Sequence, residues 1–387
     1  MDTDIPPDTP VDPYALGPDG LRDLLADLPA YRARQVHAWL VRGVDDPAEM
    51  TDLPVDLRAH LTAVLAPPPR ILRETTADGG LTRKVLLELS TSGAAEAVEA
   101  VLMLYPATGQ RAGRATVCIS TQAGCAMGCP FCATGQAGFR RQLGVGEVVR
   151  QVTVMQRLLA SGELRIEGVP EHVTNVVFMG MGEPLANTEV TTAAVRWLHD
   201  PDGFDLSARS ITVSTVGMVP GIRRLTELAL PITLAVSLHA PNDALRDDLV
   251  PPNRQWPLSE LLDACREYQE TTGRRLTFEY VLIGGVNDRR EHAEQLAALV
   301  AGFGAHVNLI PMNATPAVPW RAPPVVEQRA FASALERGGV RTTIRHNRGG
   351  DIDAACGQLY ADYALGSGKT LPAAVGAAQR LVVGREQ

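Results

Sequence analysis

No run of about 18 apolar residues occurs in this 387-residue chain, so no membrane-crossing helix is expected. The first residues, Met1 to Asp12, are acidic and proline-rich. They lack the basic and apolar segments of a secretory leader, and the expectation is a cytoplasmic protein. Positive charge is not in excess either. Lys and Arg number 36 against 44 Asp and Glu, a formal net charge of −8. Phosphate-binding proteins usually present a basic surface, so the balance by itself speaks against a nucleic-acid partner. A global sum can conceal a local patch, however. Arg111 with Arg114, Arg140 with Arg141, and Arg337, Arg341, Arg345 and Arg348 form clusters that either line a groove or face solvent. Cysteine is sparse, but four of the six, Cys118, Cys125, Cys129 and Cys132, fall within fifteen residues. Such crowding in a long chain points to metal or redox chemistry rather than to a disulfide framework.

The remaining composition is ordinary. Hydrophobic residues make up 45% and charged residues 21%, enough for a sizeable core. Residues 1–12 are expected to be disordered. From Gly20 to about Leu65, apolar residues recur at three- and four-residue spacing in LRDLLADL, YRARQVHAWLV and LPVDLRAHLTAVL, which reads as helix. Pro67-Pro68-Pro69 ends this part. Two strand-like runs follow, LTRKVLLEL and AVEAVLMLY, with a turn around Ser92-Gly93. Residues 13–110 thus read as a small helical accessory domain with a β extension.

A βα rhythm then begins. ATVCIST, NVVFM, SITVST, ITLAVSL, LTFEYVLI and HVNLI are short apolar runs, each followed by a helical stretch, and RTTIRH is a final strand. Strands covered on both faces look like this. The fold class is α/β, and six repeats over residues 111–350 suggest a partial (β/α)6 barrel or a wide open sheet. A doubly wound dinucleotide fold is disfavoured, because no glycine-rich fingerprint follows the first strand. Residues 351–387 form a C-terminal segment whose last 20 or so residues are Ala-rich and carry no assigned role.

Cys125-Ala-Met-Gly-Cys129-Pro-Phe-Cys132 lies just beyond the first of these strands. In barrel-like folds, reactive groups gather at the C-terminal ends of strands. Thiolates so closely spaced can wrap one compact soft-metal centre. Structural zinc takes four closed ligands, and the loop offers three. On a four-iron cluster, three thiolates leave one iron open. The alternative is a zinc site completed by Cys118 or by a distant histidine.

The motifs GCAMGCPFCATGQAGF, FMGMGEPLAN, SLHAPND, IPMN and RGGDIDAACGQL occur in that order. Together they resemble the RlmN/Cfr family of radical S-adenosylmethionine RNA methyltransferases, most of all its RlmN branch. The resemblance spans about residues 95 to 360. It implies a radical SAM barrel, one [4Fe-4S] cluster on Cys125, Cys129 and Cys132, and two molecules of S-adenosylmethionine per turnover. It implies cofactor contacts from Gly182, Glu183, Ser214, Ser237, Leu238, His239 and Asn313. It also implies methylation of adenine C2 in 23S rRNA, near the peptidyl-transferase centre, and beside the anticodon of some tRNAs. An electron donor such as flavodoxin or ferredoxin would serve a monomeric enzyme.

An sp² ring carbon is no nucleophile toward a sulfonium methyl group, but a carbon radical adds to it. By the same resemblance, Cys356 accepts a methyl group, carries it to the adenine and forms a covalent protein–RNA link. Cys118 then releases the product by forming a disulfide with Cys356, and Glu99 takes the C2 proton. Read without the family, Cys118 and Cys356 are small buried hydrophobes, His239 and Ser214 are loop residues, and Glu99 is an outward-facing strand residue or a buried base. Cys265 lies on a helix and matches no motif. Two rival functions share these features. One is Cfr-type methylation at adenine C8, and the other is radical chemistry on a small molecule. A non-enzymatic iron–sulfur or zinc RNA-binding module is a third.

Overall fold

The computed structural model describes residues 10–90, 94–162, 164–345 and 349–359. Its N-terminal unit holds three helices, α1 (Pro13–Leu24), α2 (Tyr31–Val41) and α3 (Val55–Val64). α1 starts earlier than the apolar periodicity implied, because Asp12 caps it by accepting from Tyr14 N at 3.0 Å. Val11 bridges to Leu65. Val11 and Asp12, expected to belong to a disordered terminus, are therefore held in place. Asp12 is also buried against Arg150, whose Nε lies 3.0 Å from Asp12 Oδ2 and whose Nη1 lies 3.0 Å from Asp45 Oδ2. A buried arginine with two carboxylates and the carbonyls of Ala66 and Pro67 is well satisfied, and it bolts the helical unit to the barrel.

Strands β1 (Arg70–Ala77), β2 (Thr82–Leu89), β3 (Glu96–Tyr105) and β4 (Arg114–Cys118) pair antiparallel in sequence order. Beyond β4 come a short hairpin, β5 (Gln122–Gly124) and β6 (Phe139–Gln142), enclosing helix α4 (Ala133–Ala137). Helix α5 (Val145–Ala160) returns the chain to β7 (Asn175–Phe178), which lies parallel to β4. The repeat continues with α6 (Thr188–His199), β8 (Ile211–Thr215), α7 (Val219–Thr226), β9 (Thr233–Ser237), α8 (Asp243–Leu249), α9 (Leu258–Thr272) and β10 (Thr277–Leu282). It ends with α10 (Arg290–Leu299), β11 (His306–Pro311), α11 (Val325–Arg337) and β12 (Arg341–Ile344).

All ten main strands belong to one sheet, ordered β1-β2-β3-β4-β7-β8-β9-β10-β11-β12. From β4 to β12 every neighbouring pair is parallel. The strand ends therefore share one rim, as the βα reading of the sequence requires. The outermost strands of this order, β1 and β12, do not pair with each other, so the barrel is partial. The core is continuous under the sheet and is built from Val, Leu, Ile and Phe of the parallel strands, among them Val117, Val176, Phe178, Val213, Leu234, Phe278 and Leu309. Among the described residues, no helix is long and apolar enough to cross a membrane.

Candidate active site

The cysteine motif does not leave β4 directly. It hangs between β5 and α4, inside the hairpin, which fixes both its ends. Cys125 N donates to Gly138 O at 3.0 Å, and Cys132 N to Cys129 O at 3.2 Å. Gly124 sits at φ +77°, and a Cβ there would collide with the Gly138 carbonyl, so glycine is required. Gln136 Nε2 donates to Pro130 O at 2.7 Å and braces the loop from within. Cys125, Cys129 and Cys132 all line one cavity of about 150 Å³ at the C-terminal rim of the parallel strands. Burial pushes the Cys125 thiol up to about 12 and that of Cys129 well above its ordinary value, and the neighbouring cysteines add to both shifts. Two buried thiols that resist ionising unless something cationic arrives, with a third thiol on the same cavity, suit a metal-binding site.

Gly182, Glu183, Ser214, Ser237, His239, Asn313 and Cys356 line the same cavity. Gly182 has φ +102°, and a Cβ there would stand 2.6 Å from Gln122 Cβ, so the backbone passes the hairpin only as glycine. Glu183 is buried. Its Oε1 accepts from Leu185 N at 3.0 Å and its Oε2 from Val216 N at 2.8 Å. Burial nonetheless raises its carboxyl to about 7, and these backbone donors and Thr215 only moderate the shift. A ligand ammonium beside it would supply the missing counter-charge. Ser214 Oγ donates to Phe178 O at 2.9 Å. His239 adopts φ +58°, its Nδ1 accepts from Val281 N at 3.0 Å, and Phe131 of the cysteine loop stands edge-on to it at 4.7 Å. Burial, then Arg246, lowers this imidazole to about 3, so it is neutral with the proton on Nε2.

Leu238 departs from the expectation. Its side chain is fully buried in the core and does not line the cavity. The alternation of a strand end turns Ser237 and His239 one way and Leu238 the other. Its backbone remains at the rim, where Leu238 N donates to Glu279 O at 2.9 Å.

Cys356 lines the same cavity from the C-terminal segment. Asn313 Nδ2 donates to Cys356 O at 2.9 Å, Ala133 N to Gly357 O at 2.8 Å, and Thr134 Oγ1 to Leu359 O at 2.6 Å. The segment carrying Cys356 is thus docked on the helix that follows the cysteine motif. Cys118 is buried at the end of β4. Burial pushes its thiol up to about 12, and Cys356 is the next contributor, so the two sulfurs lie within electrostatic reach. Both are free thiols. Cys265 is fully buried in the core.

Glu99 is not outward-facing. It is 4% exposed and pairs with Lys84 Nζ at 2.8 Å. It lines a second cavity with Lys84, Arg73 and Asp353, separate from that of the cysteines, and residues 352–359 contribute to both. Among the described residues, the arginines of these clusters make separate contacts. Arg141 holds Glu147 at 2.7 and 2.9 Å as a structural pair, and Arg114 stacks on Tyr105 at 4.2 Å. Arg345 alone of the C-terminal group lines the cysteine cavity, and Arg348 lies outside the described residues.

Three residues escaped the sequence reading of this site. Glu279 is a buried carboxylate on β10 that faces the cavity and stands 3.8 Å from Arg345 Nη1. A lone charge in the apolar run LTFEYVLI was the available signal. The role of Arg345 was hidden among exposed neighbours. Arg246, fully buried behind the β8 and β9 ends, gave none, because DALRDDL looks like a solvent-facing helix.

Among the described residues, no three His, Cys, Asp or Glu side chains converge on a single metal ion. Three thiols spread around one cavity fit a polynuclear cluster better than a closed structural zinc site. A model of the radical SAM superfamily matches residues 119–297, which hold this motif and strands β7 to β10. The chain is 51% identical over 346 residues to the probable dual-specificity RNA methyltransferase RlmN of Parafrankia sp., covering 87% of each chain. The chain belongs to the RlmN family of radical SAM RNA methyltransferases. The corresponding protein of Salinispora tropica is 48% identical over 373 residues, 93% of this chain and 97% of its own. A radical SAM methyltransferase from Sphaerobacter thermophilus has the same fold, with a TM-score of 0.84 at 47% identity over 91% of this chain and all of its own. RlmN membership brings with it a [4Fe-4S] cluster and S-adenosylmethionine, and the cavity presents the donors that both need.

Proposed function

We propose that this chain methylates C2 of an adenine in 23S rRNA, and the adenine beside the anticodon of some tRNAs, through a methylated Cys356. The observation that carries this reading is the position of Cys356. It lines one cavity together with the three cluster cysteines, with Cys118 in electrostatic reach. A radical enzyme acting on a small molecule has no use for that second pair of sulfurs.

Cys125, Cys129 and Cys132 would hold the cluster. Gly182, Glu183, Ser214, Ser237, His239 and Asn313, with the Leu238 backbone, would seat S-adenosylmethionine, two molecules being consumed per turnover. Cluster and cofactor, when bound, supply the carbon radical that an sp² ring carbon requires. Asn313 fixes the Cys356 backbone, so the methyl-bearing sulfur points where the docked segment aims it. Glu99 takes the ring proton in the adjoining cavity, and Lys84 holds its carboxylate at the strand. The Cys118 thiolate attacks the Cys356 sulfur, the bond from that sulfur to the product methylene breaks, the methylene takes up a proton to become the methyl group, and the Cys118–Cys356 disulfide is left behind. The target adenine must be unstacked to reach the rim, which favours loops of folded RNA. The enzyme works in the cytoplasm as a monomer, with a flavodoxin or ferredoxin as reductant.

The test is expression in a host lacking its own such enzyme, with mass mapping of the modified nucleosides. 2-Methyladenosine is expected in both RNAs, and 8-methyladenosine would refute the regiochemistry. C118A should trap a covalent RNA adduct that C356A cannot form. Full methylation by both variants would refute the two-cysteine route.

A further inference from the structure

Two arginines are completely buried among the described residues, and their surroundings differ. Arg150 has the carboxylates of Asp12 and Asp45 against it. Arg246 has backbone carbonyls instead. Its Nη2 donates to Val216 O at 2.6 Å and to Ser237 O at 3.1 Å, and its Nε donates to Leu238 O at 3.0 Å. Nη1 donates to Asn253 Oδ1 at 2.7 Å. Asn253 is amide, not acid, and passes the interaction on to Asp243 and Asp247 at 3.0 and 2.6 Å. No carboxylate touches the guanidinium directly.

A buried cation whose carboxylates, Asp243 and Asp247, act only through Asn253 is costly unless an anion stands closer. Two features locate that anion. The three carbonyls sit just past β8 and at the end of β9, on the rim that bounds the cysteine cavity. Val216 is also the residue whose N–H holds Glu183, and Ser237 lines the cavity itself. Cys129 is the strongest of the groups that keep Arg246 protonated against its burial. The guanidinium fork therefore ties two strand ends together from behind, and Cys129 packs in one cluster with Val216, Leu245 and Leu249, the residues around Arg246 on that side.

We propose that Arg246 is a positioning residue with two separable duties. Its planar fork holds the β8 and β9 ends in the geometry that seats S-adenosylmethionine, and its charge offsets the negative charge of the cluster on Cys125, Cys129 and Cys132. The proposal rests on the reading of those cysteines as cluster ligands. Reduction adds one negative charge to the cluster, so a fixed cation nearby favours the reduced form. The low-dielectric surroundings keep that field from being screened. A lysine keeps the charge but cannot bridge both strands.

The duties separate in two variants, R246Q and R246K, each reconstituted anaerobically beside the wild-type chain. Iron and sulfide are counted first, and a wild-type chain that binds no cluster overturns the cluster reading and this proposal with it. The midpoint potential is then measured by EPR-monitored titration, and the S-adenosylmethionine Kd by equilibrium dialysis. R246Q should hold about tenfold less reduced cluster at a fixed poise, a fall of about 59 mV for one electron. R246K should keep the wild-type potential yet bind S-adenosylmethionine about tenfold more weakly. Loss of the cluster in R246Q but not in R246K supports the charge role. An unchanged potential in loaded R246Q, an equal fall in R246K, or loss of the cluster in both variants overturns it. An unchanged Kd in R246K overturns the clamp.

Discussion

Replacing Glu183 by Gln separates the cost of its charge from the value of its hydrogen bonds. Burial lifts this carboxyl from 4.5 to about 7. Between those two values the folded chain keeps a proton that the unfolded chain has released. Stability must therefore fall as pH rises across the window, by roughly 3 kcal/mol at about 1.4 kcal/mol per unit. Above about pH 7 the full cost is present, and below about 4.5 it is absent. Gln carries no charge and escapes this cost at every pH. It has one carbonyl oxygen where Glu183 has two acceptors, so it leaves the Leu185 or Val216 N–H without a partner, a loss of about 1–2 kcal/mol. The opposing terms predict a crossover. E183Q should be about 1–2 kcal/mol more stable than wild type at pH 8 and less stable by up to about 1 kcal/mol at pH 5. Urea unfolding of the cluster-free proteins at half-unit steps from pH 5 to 8 measures this. Parallel pH profiles for the two chains would refute the reasoning, since the shared slope would then belong to other groups. E183Q should also abolish the fall in S-adenosylmethionine affinity expected below pH 7 if Glu183 binds an ammonium group.

G182A should destabilise the chain by about 2–5 kcal/mol, because it combines a strained positive φ with a Cβ 2.6 Å from Gln122 Cβ. Chemical denaturation checks it, and a loss below about 1 kcal/mol would mean that the hairpin yields easily. His239 should remain neutral from pH 5 to 8, with its proton on Nε2, since burial holds it near 3. Nitrogen chemical shifts of the labelled imidazole would report this, and a titration midpoint above 5 would contradict it.

The parallel half of the fold was legible because most of its strands are largely buried and spell short apolar words, β12 (RTTI) alone being half exposed and following their rhythm instead. β4 and β7 to β12 all fall where those words lie, with their helices between them. β1 was missed for the converse reason. Arg70–Ala77 is a largely exposed edge strand, RILRETTA, and solvent leaves no pattern on it. The β5–β6 hairpin is too short to show any period. In the site, the cysteines and the glycine-rich turn carry their chemistry in their spacing. Glu99 and Leu238 were harder, because facing is decided by tertiary neighbours. An apolar run does not say whether a carboxylate within it meets water or Lys84. Arg246 was invisible, since its acceptors are backbone carbonyls that no sequence motif records.

The wall carrying Cys356 also has a place in time. Its anchors reach back 225 residues to Thr134 and 271 to Asp78. Contacts that close such long loops gain nothing until their distant partners are already fixed. The barrel and its cysteine loop must therefore be in place before this segment can settle. Held by a few hydrogen bonds at the end of the described chain, it should also be first to let go. Amide exchange would then be faster across residues 349–359 than anywhere in β7 to β11. In this view, folding closes by laying the Cys356 segment onto a cysteine loop that was in place earlier.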